Sequence, residues 1–233
     1  MYQAVFFDLD GTLLPMDLDI FLDRYFRLLV KKLALHGYDP KALSAAIMDG
    51  TNAMIQNPGS CTNEEAFWNC FCTHMGKDAR KDEVHFDAFY RKEFQSVQEV
   101  CGYEPLAAAT VAAVKQKGIP VILATNPFFP PIATHSRIRW AGLDPADFTW
   151  ITTYDNSRYC KPNPDYYRDI CQACSLDPAK CLMVGNDAQE DLAARELGMG
   201  VFLLTNCLID RKETDLRTIP HGNFADLLQF LNS

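Results

Sequence analysis

The sequence lacks any apolar run near the ~20 residues that a membrane-spanning helix requires. It also lacks the features of a secretion signal, because its N-terminal stretch has no basic segment and a short apolar run that ends in acid, MYQAVFFDLDG. The nine cysteines are odd in number and scattered along the chain, which favours reduced thiols over a disulfide framework. We therefore expect a cytoplasmic protein with no membrane partner.

An excess of basic residues is also missing. Lys and Arg number 22 against 30 Asp and Glu, and the net charge is −8. This balance argues against nonspecific nucleic-acid binding, which requires a basic face. If an acidic protein of this kind binds anions, it needs local lysines and arginines or a metal ion at the binding site.

The chain divides by pattern into two parts. Residues 16 to 99 have helical periodicity and no convincing strand, whereas short apolar strands alternate with helices from about residue 104 to the end. Alternation of this kind predicts a parallel sheet with helical crossovers. We expect an α/β core with a Rossmann-like parallel sheet and helices on both faces, formed by residues 1–14 and 100–233, and a helical insert at 15–99.

Polar residues follow three of the predicted strands and precede one predicted helix. In a parallel sheet, ligands bind beyond the carboxyl ends of the strands, so these residues are expected to converge. A single Asp after a strand is usually a turn or capping residue, and the ordered set carries the prediction rather than any one member. The set consists of Asp8 and Asp10, Thr125 and Asn126, Lys161, and Asp187 with Asp191.

This ordered set resembles the motifs of the haloacid dehalogenase-like hydrolase superfamily. The segment Asp8-Leu9-Asp10-Gly11-Thr12 matches the first motif, Thr125 the second and Lys161 the third. The acidic pair of the fourth motif is matched by Asp187 and Asp191. The position of the insert, between the first and second motifs, is similar to that of the helical cap domain of this family.

The resemblance implies a role for each matched residue. Asp8 would be the nucleophile and Asp10 the general acid and base, while Asp191 would orient Lys161 or a metal-bound water. Mg²⁺ would be held by Asp8, the backbone carbonyl of Asp10, and Asp187. Phosphate would be bound by Thr125, Lys161, Asn126 and the main chain at Leu9 and Gly11.

One position departs from the common form of the fourth motif. The family usually has an Asp directly after the glycine, but here Gly185 is followed by Asn186 and then Asp187. We assign the metal ligand to Asp187, because variants with the ligand at this later position exist in the family.

The predicted function is that of a Mg²⁺-dependent phosphatase acting on a small phosphorylated metabolite through an aspartyl-phosphate. Asp10 favours a phosphate ester over a haloacid, because a halide leaving group needs no proton. Two alternatives stay open: a phosphomutase on the same core, and a non-catalytic binding or scaffold protein. A monomer or homodimer is expected.

Overall fold

The core of the protein is a six-stranded parallel sheet. The computed structural model describes residues 2–232, and the strands run in the order β3-β2-β1-β4-β5-β6. The strands are β1 (Ala4–Phe7), β2 (Val121–Leu123), β3 (Trp150–Ile151), β4 (Cys181–Gly185), β5 (Gly200–Leu204) and β6 (His221–Gly222). The sequence pattern predicts the first five. The two-residue strand β6 is not predicted, because His-Gly carries no apolar periodicity.

Helices surround this sheet and form the insert. Short 3₁₀ segments continue two of them, at Glu93–Val100 and at Leu192–Leu197. The α-helices are α1 (Leu18–Ala34), α2 (Pro40–Ile55), α3 (Asn63–Met75), α4 (Glu83–Arg91), α5 (Pro105–Gln116), α6 (Pro131–Trp140), α7 (Pro164–Ala173), α8 (Ala188–Asp191) and α9 (Phe224–Asn232).

Strand β1 is buried on both of its faces. Val5 and Phe7 belong to one apolar cluster, which includes Val111 of α5, whereas Ala4 and Phe6 belong to a second cluster with α7. A central parallel strand covered on both sides reads as a continuous apolar run, and AVFF fits this description. The predicted fold class, a Rossmann-like parallel sheet with helices on both faces and a helical cap, is confirmed.

The insert is a helical unit with an aromatic core, built from α1 to α4. Its two connections to the sheet run side by side, because the N–H of Gly102 donates to the carbonyl of Pro15 at 2.7 Å and Met16 forms an antiparallel bridge with Cys101. The predicted boundaries, 1–14 and 100–233 for the core and 15–99 for the cap, stay predictions. The paired connections lie next to both of them.

The sequence predicts one helix over 82–98, but the structure divides this segment. The α-helix ends at Arg91, Lys92 adopts a non-helical conformation with φ −123° and ψ −76°, and a 3₁₀ segment follows. The side-chain amide of Gln95 donates to the carbonyl of Tyr90 at 2.8 Å and so replaces a main-chain partner that the break removes.

The strand order locates the ligand-binding edge. From β1 the chain moves outward to β2 and β3, and then returns to the other side of β1 to form β4. The carboxyl ends of β1, β2 and β4 therefore flank the point where the order reverses, which is where open α/β sheets bind ligands.

Within residues 2–232, no helix is long and apolar enough to cross a membrane.

The N-terminal cap of α3 provides a test of local stability. Thr62 and Glu65 form the predicted capping box, in which each side chain accepts a hydrogen bond from the other residue's main chain. Thr62→Ala should lower the free energy of unfolding by about 1 kcal/mol in urea denaturation, because one helix donor loses its acceptor. The control is Thr73→Ala, at an exposed interior position of the same helix, which should have little effect. Equal losses in both variants would contradict the capping explanation.

Candidate active site

The DLDGT segment forms a tight turn at the end of β1. The N–H of Asp8 donates to Val184 of β4 at 2.9 Å, and the N–H of Gly11 donates to the carbonyl of Leu14 at 2.8 Å. Gly11 has φ +79°, and a Cβ atom there would lie 2.3 Å from Nδ2 of Asn186. Only glycine fits both the conformation and the close contact. The N–H of Gly11 already donates to the carbonyl of Leu14. This geometry therefore does not support the predicted role of that N–H in phosphate binding.

A buried lysine joins two of the predicted aspartates. The Nζ atom of Lys161 lies 3.0 Å from Oδ1 of Asp8 and 2.7 Å from Oδ1 of Asp191. The other oxygen of Asp191 accepts the N–H of Asp187 at 3.0 Å. A Cβ atom on Gly185 would lie 1.9 Å from that oxygen, so a glycine at this position makes room for Asp191. Three residues far apart in sequence thus form one chain of charge-assisted hydrogen bonds.

Burial and neighbouring charge act against each other in this chain. Burial raises the pKa of Asp8, the ammonium of Lys161 counteracts part of that rise, and Asp10 adds to it. Burial opposes the charged form of Lys161, but Asp191 and Asp8 outweigh it and raise the lysine pKa. Burial also raises the pKa of Asp191 to about 6. Lys161 is therefore the charged group that allows carboxylates to exist in this interior.

The segment after β2 holds Lys161 in place. The carbonyl of Thr125 accepts hydrogen bonds from Thr152 at 2.7 Å and from the Tyr166 hydroxyl at 2.9 Å. Oδ1 of Asn126 accepts the N–H of Lys161 at 3.2 Å, and Nδ2 of Asn126 donates to Glu190 at 3.0 Å. Thr125 and Asn126 therefore lie at the predicted edge, where Asn126 contacts the lysine backbone.

Glu190 is a site neighbour that the sequence analysis does not single out. Its carboxylate is bound by Asn126, and its carbonyl accepts a hydrogen bond from the Tyr167 hydroxyl at 3.1 Å. Burial raises the pKa of Glu190 to about 8, against the opposing charge of Lys161. Glu190 precedes Asp191 in sequence, and both residues belong to the short helix α8.

Two oxygen ligands converge on the hydroxyl of Thr12. It lies 2.9 Å from Oδ1 of Asn186 and 3.2 Å from Oδ2 of Asp8. Among residues 2–232, no three His, Cys, Asp or Glu side chains converge closely enough to hold a metal ion by themselves. Mg²⁺ usually takes one or two protein carboxylates and completes its shell with water and phosphate. The carboxylate of Asp8 and the amide oxygen of Asn186 fit that requirement.

Asp187 lies differently from the prediction. Its Oδ1 accepts the N–H groups of Gln189 and Glu190 at 2.9 and 3.0 Å, so it caps the N-terminus of α8. Its Oδ2 forms an ion pair with Arg211 at 2.6 Å. Both oxygens are thus engaged away from Asp8, and the side chain beside Asp8 and Gly11 is that of Asn186. A carboxylate directly before a helix is well placed to cap it, and this competing role accounts for the departure.

Asp10 is paired with an arginine that the sequence analysis does not identify. Arg137 of α6 is fully buried, and its Nη1 donates to Oδ2 of Asp10. Its guanidinium also lies 4.2 Å from the ring centre of Phe129. Oδ1 of Asp10 is buried and has no hydrogen-bond partner within residues 2–232. In the sequence, Arg137 is distinguished only as a basic residue within a helical segment that packs against the core.

An open cleft lies next to the DLDGT turn and reaches Asp10, Gly11 and Asn186 of these groups. It has a volume of about 550 Å³ and is bordered by the DLDGT turn, the start of α1 and the loop after β5. Its walls include Asp10, Gly11, Asp19, Asn186 and Arg211. The hydrogen bonds bring Asp8, Lys161 and Asp191 together with Asn126, and Asp10 lies on the same turn as Asp8. Asp187 caps the start of α8 and pairs with Arg211.

Comparisons with known proteins identify the family of this chain. A sequence model of the haloacid dehalogenase-like hydrolases matches residues 2–198. A phosphoglycolate phosphatase of Neisseria gonorrhoeae is 26% identical over 201 residues, which cover 84% of this chain and 77% of the relative. Residues 2–198, which the family model matches, contain strands β1 to β4, the helical insert and the predicted site residues.

Solved structures show the same fold. A predicted phosphoglycolate phosphatase from Haemophilus somnus has a TM-score of 0.58 at 19% identity, with 99% of this chain and 98% of that chain covered. The HAD-hydrolase YfnB from Bacillus subtilis, described as bound to magnesium, has a TM-score of 0.56 at 17% identity, with 100% and 99% covered. The chain belongs to the haloacid dehalogenase-like hydrolases, and the predicted family and hydrolase class are confirmed.

The ion pair of Asp10 and Arg137 provides a second test of stability. Asp10→Asn removes the partner of a fully buried guanidinium, so unfolding should become easier by on the order of 3 kcal/mol. Arg137→Met in the same background should restore part of this loss, because the unpaired charge is removed as well. Urea denaturation of both single variants and the double variant measures the coupling. Strictly additive effects would show that the two side chains do not depend on each other.

Proposed function

We propose that this protein is a Mg²⁺-dependent phosphatase that hydrolyses a small organic phosphate monoester through a phosphorylated Asp8. The observation that carries this proposal is the buried bridge from Asp8 through Lys161 to Asp191 at the carboxyl edge of the sheet. It presents a carboxylate whose neighbour is a fixed cation, which suits attack on an anionic substrate. The phosphatase name of the Neisseria gonorrhoeae relative supports the same class of reaction.

In the first step, an oxygen of Asp8 forms a bond to phosphorus while the bond from phosphorus to the ester oxygen breaks. The departing alkoxide takes a proton from Asp10, and the alcohol leaves. Oδ2 of Asp10 is held by Arg137, so the unpartnered Oδ1 is the oxygen available for this transfer. Asp10 lies two residues from Asp8 on the same turn, which supports its proposed role as the proton donor.

In the second step, water attacks phosphorus and Asp10 accepts a proton from it. The bond between phosphorus and the Asp8 oxygen breaks, and inorganic phosphate and the free carboxylate are restored. Lys161 offsets negative charge on the phosphoryl oxygens in both steps, and Asp191 keeps the ammonium in place. The hydroxyl of Thr125 and the main chain at Leu9 are the further predicted phosphate contacts.

The metal would be held by Asp8, the backbone carbonyl of Asp10, and Asn186. When bound, Mg²⁺ supplies positive charge that offsets repulsion between the nucleophile and the phosphate. The chain's own contribution is to bring two oxygen ligands to one point, as the shared contact of Asp8 and Asn186 with Thr12 indicates. We therefore place Asn186, rather than the Asp187 of the sequence prediction, beside the metal.

The nucleophile is tested by Asp8→Asn. Turnover of para-nitrophenyl phosphate and ethyl phosphate with Mg²⁺ should fall by at least about 10³-fold, because an amide does not form the acyl phosphate. The matched control is Asp19→Asn at the wall of the same cleft, which should keep most of the activity. Release of inorganic phosphate measures turnover, and acid-quenched protein tested for bound phosphate measures the intermediate. Full activity of Asp8→Asn would exclude this mechanism.

The same assay separates the two alternatives. A phosphomutase on this core would convert a sugar phosphate into its isomer without releasing phosphate. A binding or scaffold protein would leave a broad panel of phosphate esters unchanged, with or without Mg²⁺. Phosphate release that stops on addition of a chelator supports the phosphatase.

The metal ligand is tested by two neighbouring substitutions. Asn186→Ala should weaken Mg²⁺ binding in calorimetry by about tenfold or more, because an oxygen ligand is lost. Asp187→Ala should affect Mg²⁺ binding less and should mainly lower stability, because it removes the cap of α8 and the ion pair with Arg211. A larger loss of Mg²⁺ affinity in Asp187→Ala would favour the assignment made from sequence.

A further inference from the structure

Glu190 connects two segments of the site that are far apart in sequence. Its Oε2 atom accepts a hydrogen bond from Nδ2 of Asn126 at 3.0 Å, and its main-chain carbonyl accepts one from the hydroxyl of Tyr167 at 3.1 Å. Asn126 lies in the segment that follows β2, and Tyr167 belongs to α7, which follows Lys161 in the chain. One residue of α8 therefore contacts both the segment that holds Lys161 and the helix that comes after it.

The side-chain amide of Asn126 carries the contact from Glu190 to Lys161. An amide has an acceptor oxygen at one end and a donor nitrogen at the other. Nδ2 donates to Glu190, whereas Oδ1 accepts the main-chain N–H of Lys161 at 3.2 Å. A rotated amide would turn Nδ2 towards the N–H of Lys161, so that two donors would face each other. The acceptor oxygen of Glu190 therefore fixes the orientation in which Asn126 binds the lysine main chain.

The main chain of Lys161 determines where its ammonium can reach. Nζ lies 3.0 Å from Asp8 and 2.7 Å from Asp191, and the lysine side chain is 1% exposed. Because the four-carbon stem of a lysine is flexible, these distances depend on where the stem begins as well as on the two carboxylates. Displacement of a catalytic group by about 1 Å can reduce a rate by on the order of 10²-fold. Loss of the contact with Asn126 should therefore affect the rate of phosphoryl transfer.

A role for Glu190 in helix stability alone does not account for its contact with Asn126. A charged acidic residue in the first turn of a helix interacts favourably with the helix dipole. Burial raises the pKa of Glu190 to about 8, so its carboxyl is mostly neutral near neutral pH and gains little from the dipole of α8. The neutral carboxyl still has an acceptor oxygen for the amide of Asn126. The contribution of Glu190 is therefore the position of this acceptor, which a glutamine can also provide.

We propose that Glu190 is a positioning residue of this site. Through the amide of Asn126 it sets the main chain of Lys161, and thereby the distance from the lysine ammonium to Asp8. The kinetic consequence rests on the proposed phosphatase function. The placement of Lys161 rests on the hydrogen bonds that join α8, the segment after β2 and the lysine.

The first experiment compares two substitutions of Glu190 with a matched control. Glu190→Leu removes the acceptor, so kcat for para-nitrophenyl phosphate and ethyl phosphate with Mg²⁺ should fall about tenfold or more, with a smaller change in KM. The loss is expected in kcat because a displaced ammonium offsets less charge during phosphoryl transfer. Glu190→Gln retains an acceptor oxygen and should keep most of the activity. Glu196→Leu, at an exposed position of the 3₁₀ segment after α8, should leave both constants unchanged.

A double-mutant cycle tests whether Glu190 acts through Asn126. Asn126→Leu removes the amide that contacts both Glu190 and Lys161. If the effect of Glu190 on kcat passes through this amide, Glu190→Leu should lower kcat much less in the Asn126→Leu background than in the wild type. Losses of kcat that multiply independently in the double variant would overturn the role of Asn126 as the link.

The second experiment observes the lysine without turnover. The ¹⁵N signal of the Lys161 side chain is assigned by its absence in Lys161→Arg, which keeps a cation at that position. This signal should shift in Glu190→Leu but not in Glu190→Gln or Glu196→Leu, because only the first variant lacks the acceptor for Asn126. Urea denaturation of the three variants shows that each is folded under the conditions of the measurement.

The outcomes separate this inference from the proposed function. If the wild type hydrolyses both esters, unchanged kcat and an unchanged Lys161 signal in Glu190→Leu would overturn the positioning role and leave the phosphatase intact. Equal loss of kcat in Glu190→Leu and Glu190→Gln would also overturn it, because glutamine retains the acceptor. A Lys161 signal that shifts in Glu190→Leu alone, in a protein that hydrolyses neither ester, would support the placement of Lys161 by Glu190 and overturn the phosphatase function.

Discussion

The structure of the site depends on one buried ammonium. Lys161 lies between Asp8 at the end of β1 and Asp191 at the end of α8, and its own main chain is held by Asn126 at the end of β2. Two strand ends and the short helix that follows β4 are therefore tied to one charged group. Burial raises the pKa of each carboxyl, and the ammonium of Lys161 is the largest of the effects that oppose this rise. Removing the ammonium would leave the carboxylates of Asp8 and Asp191 without the positive charge that offsets their burial. The arrangement of this sheet edge therefore depends on Lys161.

The sequence was most informative where an apolar run ends in a polar residue. Asp8, Asp10, Thr125, Lys161 and Asp191 could be placed at one edge because parallel strands bring their carboxyl ends together. The sequence pattern does not predict in which direction a side chain points within a turn or a helix cap. Asp187 and Asn186 are neighbours, and which of them faces Asp8 depends on the geometry of the strand-to-helix turn and on the capping of α8. Arg137 and Thr12 could not be predicted because their partners lie on distant or tightly turned segments.

The two recesses next to the cap differ in polarity. The open cleft beside the DLDGT turn is lined by charged, polar and aliphatic side chains, whereas the cavity beside the segment 128–130 is lined mainly by rings and aliphatic groups. Phe129 lines the apolar cavity, and its ring contacts Tyr25 of α1 and the guanidinium of Arg137, which binds Asp10 of the cleft wall. The residues that follow Thr125 therefore connect α1 of the helical cap to the DLDGT turn through side-chain contacts.

The two aspartates of the first motif repel each other, and each of them forms an ion pair with a different buried cation. Asp8 is paired with Lys161 from the segment before α7, while Asp10 is paired with Arg137 from α6. Because the cations come from different elements, they draw the two carboxylates in different directions and fix different oxygens. Asp8 keeps an oxygen directed at Thr12 and Asn186, and Asp10 keeps an unpartnered one. Two identical side chains two residues apart thereby acquire different surroundings, which is the condition for one to act as nucleophile and the other to transfer protons.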